Sequence, residues 1–99
     1  MEPVLTIVVP CYNEEDVLPE TIHQLNQFVK QLVSEQLVSN KTKILFVDDG
    51  SKDRTWEIIY KAGLRNEHVR GIKLSRNVGH QNALLAGLFA AKVSSDCVV

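Results

Sequence analysis

Cysteine is nearly absent. Cys11 and Cys97 are the thiols among 99 residues, too few for a disulfide framework, and they suggest a reducing compartment. Glycine is sparse as well. Its 5 residues never form the G-x-G-x-x-G turn through which a dinucleotide fold brings backbone against a pyrophosphate, which argues against a nicotinamide oxidoreductase. No apolar run approaches the roughly 20 residues of a membrane span. No signal-like leader follows Met1, and there is no low-complexity linker or internal repeat. A dominant charge is missing too: 11 Lys and Arg against 12 Asp and Glu leave a formal net charge of -1. Without a basic face, nucleic acid is not an expected partner. The mixed signs exclude an acidic tail.

What is present fits one small soluble domain over 1–99, with 44% hydrophobic and 23% charged residues. A chain this short buries roughly 60–68% of its unfolded surface, so its stability margin is modest. The pattern alternates strand and helix. Leu5 to Val9 is a β-branched run ending at Pro10, as in a strand buried on both faces. Val17 to Leu37 predicts a helix: Ile22, Leu25, Val29, Leu32 and Gln36 fall at three- and four-residue steps, and the apolar members form one stripe. Lys43 to Val47 is a second buried strand, followed by a sharp turn in which Gly50 is free to take positive φ. Asp53 is placed to N-cap a helix from Arg54 to about Leu64, with Trp56, Ile59 and Gly63 on one face. Val69 to Leu74 is a third strand. Gln81 to about Val93 is a helix whose small residues, Ala83, Ala86, Gly87, Ala90 and Ala91, allow close packing on a sheet. Cys97 to Val99 begins a fourth strand. Successive β–α units imply an α/β, Rossmann-like parallel sheet with helices on both faces. Ligands of such folds bind at the carboxyl ends of the strands. The loops of interest are therefore Pro10–Asp16, Asp48–Asp53 and Ser75–His80.

The first loop holds Glu14, Glu15 and Asp16 where a phosphate-binding fold would hold glycines. Glu15 and Asp16 read as acids favourable to the helix dipole; Glu14, nearer the strand end, is a candidate ligand contact. Tyr12 can stack on a base or pack on the first helix. In the second loop, Asp48 and Asp49 end a buried strand, where a carboxylate needs a partner. A metal, the turn's own backbone or a nucleotide would serve: uracil and guanine offer an imino N–H, and ribose offers hydroxyls. Asp49 could instead cap only its own loop. The third loop brings Arg76, its one cation, to face a base carbonyl or phosphate, or to pair with Asp48 or Asp49. Asn77 and Gly79 read as turn residues tolerant of left-handed φ. His23, His68 and His80 have no metal-ligand spacing and read as structural. Trp56 reads as core.

Pro10-Cys11-Tyr12-Asn13-Glu14 resembles the PxYNE element of family-2 glycosyltransferases. Val47 to Thr55 resembles their VDDGSxDxT element. Ser75 to Leu88 resembles the SRNxGxxxALLAGL stretch of the branch that transfers sugars to polyprenyl phosphate, which includes dolichol-phosphate mannose synthase-like and bactoprenol glucosyltransferase-like enzymes. Together the three elements cover most of the chain in the right order. The resemblance implies the nucleotide-binding half of a GT-A fold, an inverting transfer, a UDP- or GDP-sugar donor and a divalent metal, Mg²⁺ or Mn²⁺. It implies that Pro10, Tyr12, Asn13 and Glu14 line the nucleoside pocket, that Asp48 contacts the base with Asp49 supporting its loop, and that Arg76 lies near the base or diphosphate.

The same resemblance puts the metal-binding DxD after the fourth strand, beyond Val99, with the catalytic base, the lipid-phosphate acceptor site and any membrane helices further on. The expectation is a fragment, truncated at the fourth strand, with no catalytic residue or metal ligand of its own. Its full-length parent is expected at the cytoplasmic face of a membrane, and an apolar edge at Cys97-Val98-Val99 leads to expected self-association. The competing reading is a receiver-like signalling domain with an acidic Mg²⁺ pocket, although a receiver sets its acid pair after the first strand, not the second.

Overall fold

The computed structural model describes residues 2–92 and 97–98; Val93 and Val99, to which the third helix and fourth strand were expected to run, lie outside them. The elements follow as β1 (Leu5–Cys11), α1 (Leu18–Ser34), β2 (Lys43–Asp48), α2 (Thr55–Arg65), β3 (Val69–Lys73), α3 (His80–Lys92) and β4 (Cys97–Val98). They form a parallel sheet in the order β3-β2-β1-β4. The α/β architecture read from the sequence is the one observed.

Side chains alternate across the sheet, as a two-residue strand period requires. Cys11, Ile44 and Phe46 join Leu18, Ile22 and Val29 of α1 and Ile59 of α2 in one core. Val8, Leu45 and Val47 join Ala83 of α3 in another. Each buried Val, Leu, Ile or Phe side chain in these layers is worth about 1.5–3 kcal/mol. The second core is thin because α3 sits close. A Cβ on Gly87 would stand 2.5 Å from Val8 Cγ1 and 2.8 Å from Val47 Cγ2.

Several expected boundaries shift by a residue or more, two of them for identifiable reasons. Strand β1 runs through Pro10 to Cys11 rather than stopping at Val9. The Cys11 carbonyl accepts from Asp49 N–H on the β2 side, so the ring nitrogen of Pro10 faces away from β2 and costs that ladder nothing. Helix α1 ends at Ser34, not Leu37, because Gln36 takes a φ of 60°. Gln36 N–H then bonds Val33 C=O and Leu37 N–H bonds Leu32 C=O, a Schellman ending built without glycine. Among the described residues, no helix is long and apolar enough to cross a membrane.

Candidate functional site

The carboxyl ends of β1, β2 and β3 bring the three loops together, and hydrogen bonds between residues far apart in sequence knit them. Loop one is tied to loop two at successive positions. Asn13 N–H donates to Ser51 Oγ (2.9 Å), and Lys52 N–H donates back to Asn13 Oδ1 (2.8 Å). Glu14 N–H donates to Thr55 Oγ1 (2.9 Å) and Glu15 N–H to Asp53 Oδ2 (3.2 Å). Asn13 adopts a φ of 50°, a left-handed turn that Asn tolerates well.

Asp53 is the centre of this seam. Its Oδ1 accepts from both the N–H (2.9 Å) and the hydroxyl (2.5 Å) of Thr55. The expected N-cap role is therefore real but sits one residue earlier: the helix begins at Thr55, Arg54 stands at the cap position without a side-chain cap, and Asp53 reaches past it. Burial, the largest single influence, pulls the Asp53 pKa up. The hydrogen bonds from the Thr55 hydroxyl and the Thr55, Glu15 and Asp53 N–H groups together hold it below its ordinary value.

Loop three is fastened by Asp49. Its Oδ1 accepts from Val78 N–H (2.8 Å) and its Oδ2 from Gly79 N–H (3.1 Å). Both oxygens are thus committed, in a side chain 1% exposed. Gly79 takes the expected positive φ of 91°; Asn77 does not, and instead accepts from Gly79 N–H through Oδ1 (3.0 Å). Gly50 has the expected positive φ, 72°.

Asp48 differs from its neighbour. It is 0% exposed, and Oδ1 accepts from Ser51 N–H at 3.1 Å. Among the described residues Oδ2 is buried with no hydrogen-bond partner, an arrangement that costs free energy unless something supplies a donor. By strand alternation Asp48 lies on the Cys11 side of the sheet, and Cys11 is its register partner. Burial, followed by the carboxylates of Glu14 and Asp48, pushes the Cys11 thiol up to about 12.

The remaining candidates surround this point. Pro10 is half-buried in β1, opposite Val47. Tyr12 and Glu14 are half-buried on loop one, and the Glu14 carbonyl receives Leu18 N–H as α1 begins. Arg76 is exposed, and the ion pair with Asp48 or Asp49 does not form: backbone amides already hold Asp49, and Asp48 is enclosed. Trp56 packs on the first core and lies 6.4 Å from Tyr60, ring to ring. His68 is structural, with Nδ1 2.8 Å from Thr42 O. Among the described residues, no three His, Cys, Asp or Glu side chains converge to hold a metal. A hollow of 790 Å³ runs along the exposed flank of α1 past His23 and Gln27; it is an open helix surface, away from the strand ends. Sequence reading missed Ser51 and Thr55, whose hydroxyls carry half of the seam. The spacing of the S-x-D-x-T run was the available signal, since hydroxyl and carboxylate side chains at such steps capture backbone amides.

Comparison with known proteins gives the arrangement its family. The model of glycosyl transferase family 2 matches residues 6–99. This chain belongs to that family. Family relatives include the uncharacterized glycosyltransferase YkoT of Bacillus subtilis, 61% identical over 98 residues, covering 99% of this chain and 29% of that protein. The undecaprenyl-phosphate 4-deoxy-4-formamido-L-arabinose transferase of Photorhabdus laumondii is 34% identical over 96 residues, covering 96% of this chain and 27% of that protein. The chain therefore spans under a third of the length of these relatives. The fold is that of the mannosyltransferase PcManGT from Pyrobaculum calidifontis, solved in complex with GDP-Man and Mn²⁺: the TM-score is 0.63 at 19% identity, over 92% of this chain and 25% of that one.

Proposed function

We propose that this chain forms the nucleoside-binding part of the donor site of a glycosyltransferase, which moves a sugar from a UDP- or GDP-sugar to a polyprenyl phosphate. The observation that carries the reading is the unpartnered Oδ2 of Asp48, enclosed at the end of a central strand where three loops meet. A buried acceptor of this kind suits the imino N–H of uracil or guanine; adenine's ring has no such donor. Because Asp48 is enclosed, a base reaches it only as the surrounding side chains shift, a common adjustment on binding. Tyr12 then offers a ring face to the base, Pro10 an apolar wall, and Asn13 and Glu14 the polar rim toward ribose. Arg76, exposed and in no ion pair among the described residues, faces the base carbonyl or the diphosphate. Asp49 is the support of that loop.

Support for the acceptor class comes from the undecaprenyl-phosphate transferase among the relatives. Support for a nucleotide-sugar donor with a divalent ion comes from the structural neighbour bound to GDP-Man and Mn²⁺. Ligands for such an ion, the catalytic base and the acceptor groove belong to other parts of the parent enzyme, which we assign to the cytoplasmic face of a membrane. Calorimetry on the full-length parent with UDP, GDP and ADP, each with Mg²⁺ or Mn²⁺, tests the reading. Binding of UDP or GDP in clear preference to ADP is expected; equal binding of all three would overturn it.

A further inference from the structure

The donor site described above rests on a loop with little hold of its own. Residues 12–16 lie between β1 and α1, and of their carbonyls the Glu14 carbonyl alone is used among the described residues, by the start of α1. The amides of Asn13, Glu14 and Glu15 all donate outward, to Ser51, Thr55 and Asp53. These acceptors lie 38 to 41 positions away in sequence, so their closeness is a product of the fold and not of local turn chemistry. Thr55 is the pivot: its hydroxyl donates to Asp53 Oδ1 and therefore presents a lone pair, with fixed direction, to Glu14 N–H. It is also 0% exposed, so water cannot substitute for it.

We infer that Thr55, oriented by Asp53, is a positioning residue for donor recognition: it sets where the backbone of Glu14 lies and hence where Tyr12 and Glu14 meet the nucleoside. This rests on the donor-site reading. The hydroxyl touches no ligand; it acts through the loop. Ser51 does the same, more weakly, at Asn13. Two loops that would otherwise move independently thereby approach the base as one wall, and the ordering that binding would require is already complete, which is how preorganisation raises affinity.

The test uses the full-length parent with UDP and GDP as probes in the presence of Mg²⁺. Thr55→Val removes the acceptor at nearly constant volume, Thr55→Ser restores it, and Ser51→Ala cuts the neighbouring contact at a less buried place. Losing one such hydrogen bond corresponds to about a two- to tenfold weakening of nucleotide binding. The expected result is that weakening for Thr55→Val, recovery in Thr55→Ser, a smaller loss for Ser51→Ala, and a shift of the amide resonance that loses its acceptor, Glu14 in Thr55→Val and Asn13 in Ser51→Ala. If Thr55→Val fails to fold, Asp53→Ala, which releases the Thr55 hydroxyl from its fixed direction, takes its place, and wild-type affinity in Asp53→Ala would overturn the inference. Nucleotide affinity unchanged in a folded Thr55→Val would also overturn it while leaving the donor site intact. Wild-type protein that binds neither UDP nor GDP would sink the donor site itself.

Discussion

Gly50 lies directly against the backbone of Arg76. A Cβ built on Gly50 would stand 2.5 Å from the Arg76 carbonyl carbon, and its φ of +72° already favours glycine. Loop two and loop three therefore touch through main chain. Gly50→Ala should destabilise the fold by about 2–5 kcal/mol, combining left-handed strain with backbone displacement. Urea denaturation reads this directly; a loss below 0.5 kcal/mol, the usual surface range, would mean that the loops separate at little cost.

Asp49 and Asp48 should part company under the same substitution. Asp49→Asn keeps one acceptor for Val78 or Gly79 but turns an N–H₂ group toward the other amide. Loss of a charged hydrogen bond costs roughly 1.5–3 kcal/mol, and the folded state should bear it. The expected sign is a lower denaturation midpoint, with more rapid amide exchange at Val78 and Gly79.

Asp48→Asn should spare the fold and damage donor binding. Asn retains the Oδ1 that receives Ser51 N–H, and the replaced Oδ2 has no partner to lose. Facing an imino N–H, the new amide would be donor against donor. Affinity for the nucleotide in the full-length parent should fall about 10- to 150-fold, the equivalent of roughly 1.5–3 kcal/mol. Unchanged affinity would make Asp48 a structural residue.

Cys11 gives a prediction in pH. Its thiol is 0% exposed and is raised to about 12 by burial first and by Glu14 and Asp48 second. A thiol whose folded pKa is raised contributes stability that is complete below the unfolded thiol range. The contribution declines as pH climbs from there toward 12, because the unfolded chain gives up its proton first. Stability should therefore fall between about pH 8.5, the ordinary thiol value, and the folded value. Cys11→Ala should flatten that part of the profile. Iodoacetamide should leave Cys11 unmodified at pH 7 until the chain unfolds, since only the thiolate attacks.

Much of this was legible in the residues. Alternating β-branched runs and amphipathic spacing announced the strands and helices, and the strand-end rule pointed to the loops that meet. The glycines at 50, 79 and 87 were read for the right reasons. What was hidden involved partners distant in sequence. The Asp49 carboxylate could equally have capped its own turn, paired with Arg76 or met a ligand; only the fold brings Val78 and Gly79 to it. Left-handed φ was expected at Asn77 and occurs at Asn13, because both are Asn beside a turn and the choice depends on which one a neighbouring loop grips. Gln36 looked like a helix position because a residue in a Schellman turn need not break the apolar spacing before it.

The dipeptide Asp48-Asp49 divides its labour by parity. Successive residues at the end of β2 face opposite sides of the sheet, so one carboxylate is delivered to the Cys11 side and the next to the start of α3. A single inserted or deleted residue between Ile44 and Asp48 would exchange the two destinations and turn both cores inside out along that strand. The chemistry of each acid could drift by substitution, yet the count of residues leading to them could not. Change in this strand is thereby confined to side chains, and length variation is displaced to the connections on either side.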